Sequence, residues 1–150
     1  MSAQANITCF DGAAPPVSHN LVAIGVAAVK KEVLASWREM VSTIPAYAQI
    51  TLDVGVQKLA SGVYRVAATF KVPVMESISG QNAAGYTAAP KVAYTNTISV
   101  VCFFHERSTV AERRLARQLA INVLGSVSTS VVPVSTGPLP EAIDQLISAS

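Results

Sequence analysis

Charged residues, aromatics and cysteine are all scarce in this chain. Asp, Glu, Lys and Arg make up 13% of its 150 residues, and Phe, Trp and Tyr 6%. The two cysteines, Cys9 and Cys102, form neither a metal-type pair nor a disulfide framework, and they read as two thiols in a reducing cell. The best apolar run, residues 21–29, falls far short of the ~20 residues a membrane helix needs. No Lys or Arg precedes an apolar stretch at the N-terminus, so no secretory signal is read, and the chain is expected to stay in the cytoplasm where it is made. Walker loops and the G-x-G-x-x-G, G-x-S-x-G and H-E-x-x-H motifs are missing, as are acidic clusters with metal-ligand spacing. His19 and His105 stand alone in sequence, whereas a catalytic histidine needs a positioned partner. No catalytic residue, metal or cofactor is therefore expected.

What the chain does have is apolar substance. Half of it is hydrophobic, at 51%, and its mean hydropathy is +0.41. Its length suits one domain spanning residues 1–150. More apolar surface than one small core needs points to an obligate oligomer. The net charge of +2 permits a nucleic-acid partner without arguing for one.

Alternation supplies the strands. Residues 7–10 make a short β-like run, ended by the turn signal Asp11-Gly12, with a return strand from Val17 onward. In residues 49–57, Ile50, Leu52, Val54 and Val56 point one way, and Gln49, Thr51, Asp53, Gly55 and Gln57 the other. After the turn at Ala60-Ser61-Gly62, Tyr64, Val66, Ala68, Phe70 and Val72 share a face, as do Arg65, Ala67, Thr69 and Lys71. Pairing should weaken at Pro73, which has no N–H to give. Residues 77–89 (SISGQNAAGYTAA) form a loop. In the strand 91–104, Lys91, Thr95, Thr97 and Ser99 fall on one parity and Val92, Tyr94, Ile98, Val100 and Cys102 on the other. Three strands thus each show a polar and an apolar face, and the apolar one must be covered.

The nearest cover is a helix. Ser108-Thr109 with Glu112 is a capping-box start, and Gly125 stands where a C-terminal cap belongs. Ala111, Leu115, Leu119 and Val123 recur at i+4 on one side, and Arg113, Arg114 and Arg117 lie on the other. One helix is small for such a sheet, and Ile121 and Leu124 lie off its apolar stripe, available to a second subunit. The segment after Gly125 is β-branched and Pro-broken. A short amphipathic helix is expected at residues 139–148, with Ile143, Leu146 and Ile147 together.

Pro90-Lys91-Val92 with Tyr94-Thr95, the long strand running into Ser108-Thr109, and the upstream Val63-Tyr64-Arg65-Val66 and Lys71-Val72-Pro73 resemble one family. It is that of the coat proteins of single-stranded RNA bacteriophages, the levivirus type. The resemblance covers roughly residues 48–124. It implies an α+β fold: an N-terminal β-hairpin over the edge of a five-stranded antiparallel sheet, with C-terminal helix on one face. It also implies an intertwined dimer with one continuous ten-stranded sheet. Residues 27–40 score as helix by propensity, but the family has strands here. A strand near 33–39 is adopted because sheet burial overrides propensity, with the helix as alternative. Trp37 reads as a core or dimer-interface residue.

The function the resemblance implies is structural. Homodimers would assemble into an icosahedral shell around the RNA genome in the bacterial cytoplasm. The inner sheet face would bind an RNA stem-loop and repress translation of the replicase. The residues so implied are Gln57, Arg65, Thr69, Lys71, Lys91, Thr95, Thr97 and Ser99. Lysine and arginine would meet phosphates, and the hydroxyls would line a pocket for an unpaired adenine. Ala67 and Asp53 depart from that pocket, one lacking a contacting side chain and the other anionic. A cellular dimeric binding module with an open sheet is the rival reading, and an enzyme using His105 or Asp53 a further one.

Overall fold

The computed structural model describes residues 3–77, 89–128 and 132–150. Six strands form one antiparallel sheet in sequence order. They are β1 (Ile7–Phe10), β2 (Ser18–Val29), β3 (Glu32–Glu39), β4 (Thr51–Lys58), β5 (Val63–Met75) and β6 (Val92–His105). Two helices follow, α1 (Val110–Leu124) and α2 (Pro138–Gln145). The expected α+β composition holds, but the sheet differs from a five-stranded one with a separate hairpin laid over it. The return arm of the hairpin and the first sheet strand are one element, since β2 pairs with β1 along its first third and with β3 along most of its length.

A bulge makes this possible. The register of β2 against β3 jumps between Ala23 and Gly25, leaving Ile24 unpaired. A bulge strips ladder partners from nearby backbone groups, which then need others. The N-terminal segment supplies them. The Gln4 side-chain amide donates to the carbonyls of Gly25 and Ser36, at 3.1 and 2.8 Å, and Asn6 Oδ1 accepts from Ala23 N–H at 3.1 Å.

The helix alternative for residues 27–40 is thereby overturned. Lys30-Lys31 is a tight turn joining β2 to β3, with Lys30 at φ 58°. The strand near 33–39 is present as β3. Trp37 is fully buried in the core, its indole N–H donating to the Ala5 carbonyl at 2.9 Å. Pro73 stays paired with Thr95 on β6, while β4 has already ended opposite Lys71, so that flank of β5 has no ladder to break. Most of the loop at 77–89 lies outside the described residues.

The core sits on one face, where Ala35, Trp37, Leu52, Val54, Val56, Val66 and Ala68 meet Ala142, Ile143 and Ala149. The covering element is therefore α2 with the segment after it. The expected helix at 139–148 is observed from Pro138 to Gln145, ending where Leu146 turns left-handed. Helix α1 begins as expected: Thr109 Oγ1 accepts from Glu112 N–H at 3.3 Å and Glu112 Oε2 from Thr109 N–H at 2.7 Å. At its other end Gly125 caps in a right-handed conformation, and Ser126 takes the positive φ, 52°.

The orientation of α1 is the main correction. Its arginine side faces the chain's own interior and its apolar stripe faces out. Arg113 and Arg117 are buried, whereas Leu115, Leu119 and Val123 are 60%, 57% and 79% exposed. The arginines converge on Asp144 of α2. Its carboxylate accepts from Arg114 at 2.9 Å and from Arg117 twice at 3.1 Å, while Arg113 donates to its carbonyl at 2.7 and 3.0 Å. A buried guanidinium is tolerable only when its donors are satisfied, and this clamp satisfies them.

Candidate nucleic-acid interface

The face of the sheet opposite the core carries the implied site residues. Strand register orders it into rows running across β3, β4, β5 and β6: Arg38–Thr51–Lys71–Thr97, Ser36–Asp53–Thr69–Ser99, Leu34–Gly55–Ala67–Val101 and Glu32–Gln57–Arg65–Phe103. Seven of the eight implied residues share this face: Gln57, Arg65, Thr69, Lys71, Thr95, Thr97 and Ser99. Thr95 lies beyond the first row, opposite Pro73. Lys91 is not brought in by the same alternation. It precedes β6, and the register slips between Val74 and Met75, so its parity with Thr95 does not carry across the irregularity.

The charges are arranged differently from a basic rim. The Arg65 guanidinium is paired with the Glu32 carboxylate at 3.2 Å. Glu32 reaches it by lying over Gly55, where a Cβ would stand 2.0 Å from its Oε1. Lys71 is exposed and, among the described residues, in no salt bridge, so it is the freer cation for a phosphate. Asp53 accepts from the Ser36 hydroxyl at 2.7 Å, and the Thr69 and Ser99 hydroxyls share a hydrogen bond at 3.1 Å.

Small side chains in the third row leave a depression of about 240 Å³, lined by Glu32, Leu34, Asp53, Gly55, Arg65, Ala67, Thr69 and Lys71. Glu32, Leu34 and Ser36 were not among the implied site residues, which lie on β4, β5 and β6 or, for Lys91, just before β6. Once β3 is taken as a strand, the alternation Glu32, Leu34, Ser36 opposite Val33, Ala35, Trp37 is the signal that places them. Phe103, 61% exposed beside Arg65, breaks the polar parity of β6.

Both histidines have partners within the chain. His19 bridges Glu39, at 2.8 Å, and Asp11, at 3.7 Å, at the hairpin edge, and its pKa is raised, chiefly by the hydrogen bond with Glu39. His105 Nδ1 accepts from the Arg107 backbone at 3.2 Å, closing the corner between β6 and α1. No group of His, Cys, Asp or Glu suited to a metal occurs among the described residues. Among them, too, no helix is long and apolar enough to cross a membrane.

The other face leaves apolar surface uncovered. Tyr94 and Ile98 of β6 are 59% and 67% exposed. An apolar hollow of about 300 Å³ lies between β6, α1 and α2, bordered by Val100, Cys102, Phe104, Ala120, Ile121 and Leu124 among others. β6 is itself an edge, with a neighbour on one side only.

Residues 2–143 match the family model described as levivirus coat protein. No curated protein sequence matches the chain. Among solved structures, the virus-like particle of bacteriophage EMS014 is similar at 29% identity and a TM-score of 0.72, over 95% of this chain and 97% of that one. The bacteriophage EMS014 coat protein is similar at 26% identity and TM-score 0.67, with 99% of each chain covered. The virus-like particle of bacteriophage ESE058, at 21% identity and TM-score 0.70 over 97% of this chain and 98% of that, shares the fold.

Proposed function

The chain belongs to the levivirus coat protein family, and from that premise we propose that it is a structural capsid protein, not an enzyme, whose copies assemble into a virus-like shell. The observation that carries the reading is the pair of unfinished apolar surfaces: the outward Leu115–Leu119–Val123 stripe of α1 and the bare β6 end of the sheet. Each is what the other lacks. A second copy joined edge to edge through β6 would extend the sheet and lay its α1 over the exposed Ile98 and Tyr94. Burying such side chains contributes about 1.5–3 kcal/mol each, and pairing removes an edge strand that otherwise invites aggregation. The dimer is then the unit of assembly and has no separately stable monomer. Assembly takes place in the host cytoplasm, and the product is the virion.

The polar face is the RNA side. It offers hydroxyls, one free lysine and a base-sized depression, which suits single-stranded RNA or a stem-loop better than a uniformly basic patch would. Holding a stem-loop of the genome there would couple packaging to repression of the replicase gene.

Size exclusion and electron microscopy of the purified protein test the shell. Particles are expected, and a stable monomer at micromolar concentration and physiological salt would refute it. Filter binding of RNA hairpins tests the face. Lys71→Ala should weaken all sequences alike and flatten the salt dependence, because one phosphate contact is lost. Arg65→Ala should do so less, since Glu32 already engages that guanidinium. Thr97→Val should lower discrimination among hairpins by about 1 kcal/mol, the worth of one hydrogen bond. If Lys71→Ala changes neither affinity nor salt slope, the face is misassigned.

A further inference from the structure

Resting on the reading of the polar face as the RNA side, we propose that the hollow beside Arg38 seats a phosphate of the RNA backbone and carries that face beyond its first row. The site begins with an arginine that has nothing to hold. Among the described residues Arg38 makes no ion pair, and its Nε is the one buried side-chain polar atom without a hydrogen-bond partner. Buried donors are nearly always satisfied, so an exception calls for a reason. Neither neighbouring carboxylate supplies a partner. Asp53, diagonal to Arg38 across β3 and β4, is engaged by the Ser36 hydroxyl, and Glu39 is taken by His19.

The crossover from β3 to β4 builds the rest. The chain turns at residues 41–44, where Ile44 N–H donates to the Val41 carbonyl at 3.2 Å. The buried Gln49 side chain pins that turn, its amide donating to the Val41 and Ile44 carbonyls at 2.9 and 3.0 Å. Gln49 is extended and two residues before Thr51, so the pinned turn stands on the polar side, one row beyond Arg38. Between them is a hollow of about 270 Å³ lined by Arg38, Met40, Val41, Ser42, Ala46 and Gln49. No acid lines it. Gln49 spends its amide hydrogens on the turn, which leaves the Arg38 guanidinium to supply the charge and the exposed Ser42 hydroxyl a further donor. A guanidinium fork matches the oxygens of a phosphate. The row ties this site to the RNA side. Arg38 heads Arg38–Thr51–Lys71–Thr97, two strands and about 10 Å from Lys71. Arg65, at the other end of the face, is already neutralised by Glu32. The unpaired positive charge of the face is thus gathered in its first row, where an RNA backbone crossing from β5 to β3 meets a cation at each end. A free phosphate ion in the hollow would engage Arg38 without Lys71, and so the backbone is the ligand the row favours.

The test is filter binding of one RNA hairpin to the full-length protein before shell assembly, over a series of salt concentrations. Arg38→Met keeps the apolar stem and removes the charge. It should bind about tenfold more weakly, the scale of a charge-assisted hydrogen bond, and its log–log salt slope should fall by about 1. Its denaturant midpoint should be no lower than that of wild type, because no internal partner is lost. Arg38→Lys keeps the charge without the fork, so it should keep the salt slope and bind with intermediate affinity. Lys58→Met removes an equal charge from the other parity of β4, where Lys58 is paired with Glu106, and should leave the slope unchanged. Wild-type affinity and slope in Arg38→Met, beside a weakened Lys71→Ala, would overturn the site and leave the RNA face standing. A lowered midpoint with unchanged RNA binding would make Arg38 a structural residue and overturn it too. Equal weakening by Arg38→Met and Lys58→Met would reduce the effect to net charge. Saturable binding of inorganic phosphate alone, lost in Arg38→Met while hairpin binding is not, would overturn the backbone as the ligand. If neither Arg38→Met nor Lys71→Ala alters hairpin binding, the RNA-face reading itself falls, and the site with it.

Discussion

The two helices stand in opposite relations to the same sheet. Helix α2 has eight residues, and its Ala142 and Ile143 are almost fully buried against the core. Helix α1 has fifteen, yet it leans on α2 through arginines and shows its leucines to solvent. The shorter helix covers the core, and the longer one leaves its apolar stripe uncovered. Amphipathicity reveals that a helix has two faces. It does not reveal whose core the apolar face belongs to.

The sharpest way to break that contrast is to spoil the outer side of α1. Leu119→Asp should abolish particles, because the carboxylate would enter the surface proposed to meet a second copy. Electron microscopy showing wild-type particles from this variant would mean that the stripe is idle.

Spoiling the inner side should act within the subunit instead. Asp144→Ala strands two arginines, Arg114 and the buried Arg117, while Arg113 keeps the backbone carbonyl, and it should cost roughly 3–5 kcal/mol, typical of breaking a buried ion pair from one side. Denaturant midpoints compared on non-assembling material measure it. Acid should do the same by protonation. Burial pushes the Asp144 carboxyl up, but hydrogen bonds from Arg117 and Arg114 outweigh this, and its pKa is lowered. The clamp's stabilisation is therefore complete above the unfolded carboxylate value of ~3.9 and is lost as pH falls through the lower folded value. A midpoint that does not change between neutral pH and pH well below 4 would contradict this.

A smaller effect belongs to the start of α1. Thr109→Ala removes the acceptor for Glu112 N–H and should cost about 1 kcal/mol, read from the same midpoints.

The smallest effect lies at the hairpin edge. The His19 pKa is raised, first by Glu39, so its contribution is full below the free histidine value of ~6.5 and fades as pH rises through the folded value. The His19 ring should titrate above ~6.5 by NMR, and amide exchange in β1 and β2 should quicken on the alkaline side. A midpoint below that value would refute the bridge.

Local chemistry was enough for much of this molecule. Alternation in 49–57, 64–72 and 91–104 marked three strands and their faces, observed as β4, β5 and β6, because a pleat leaves no choice once one side is apolar. Thr109 and Glu112 marked the start of α1, because a capping box is closed by residues three apart. Seven of the eight site residues that the resemblance implied share one face of the sheet, as their alternation required. What was not legible depended on distant partners. The Ala-, Lys- and Glu-containing stretch around Lys30 prefers helix alone and becomes β2, turn and β3 because β4 and the N-terminal segment take up its backbone groups. Glu32 joined the polar face only through that pairing. Arginine turned inward on α1 because Asp144, twenty-seven residues after Arg117, satisfies it. Sequence determines which groups are apolar, charged or able to cap. Which of them is buried, and against what, is decided only when the folded chain brings the satisfying partner within hydrogen-bonding or van der Waals reach.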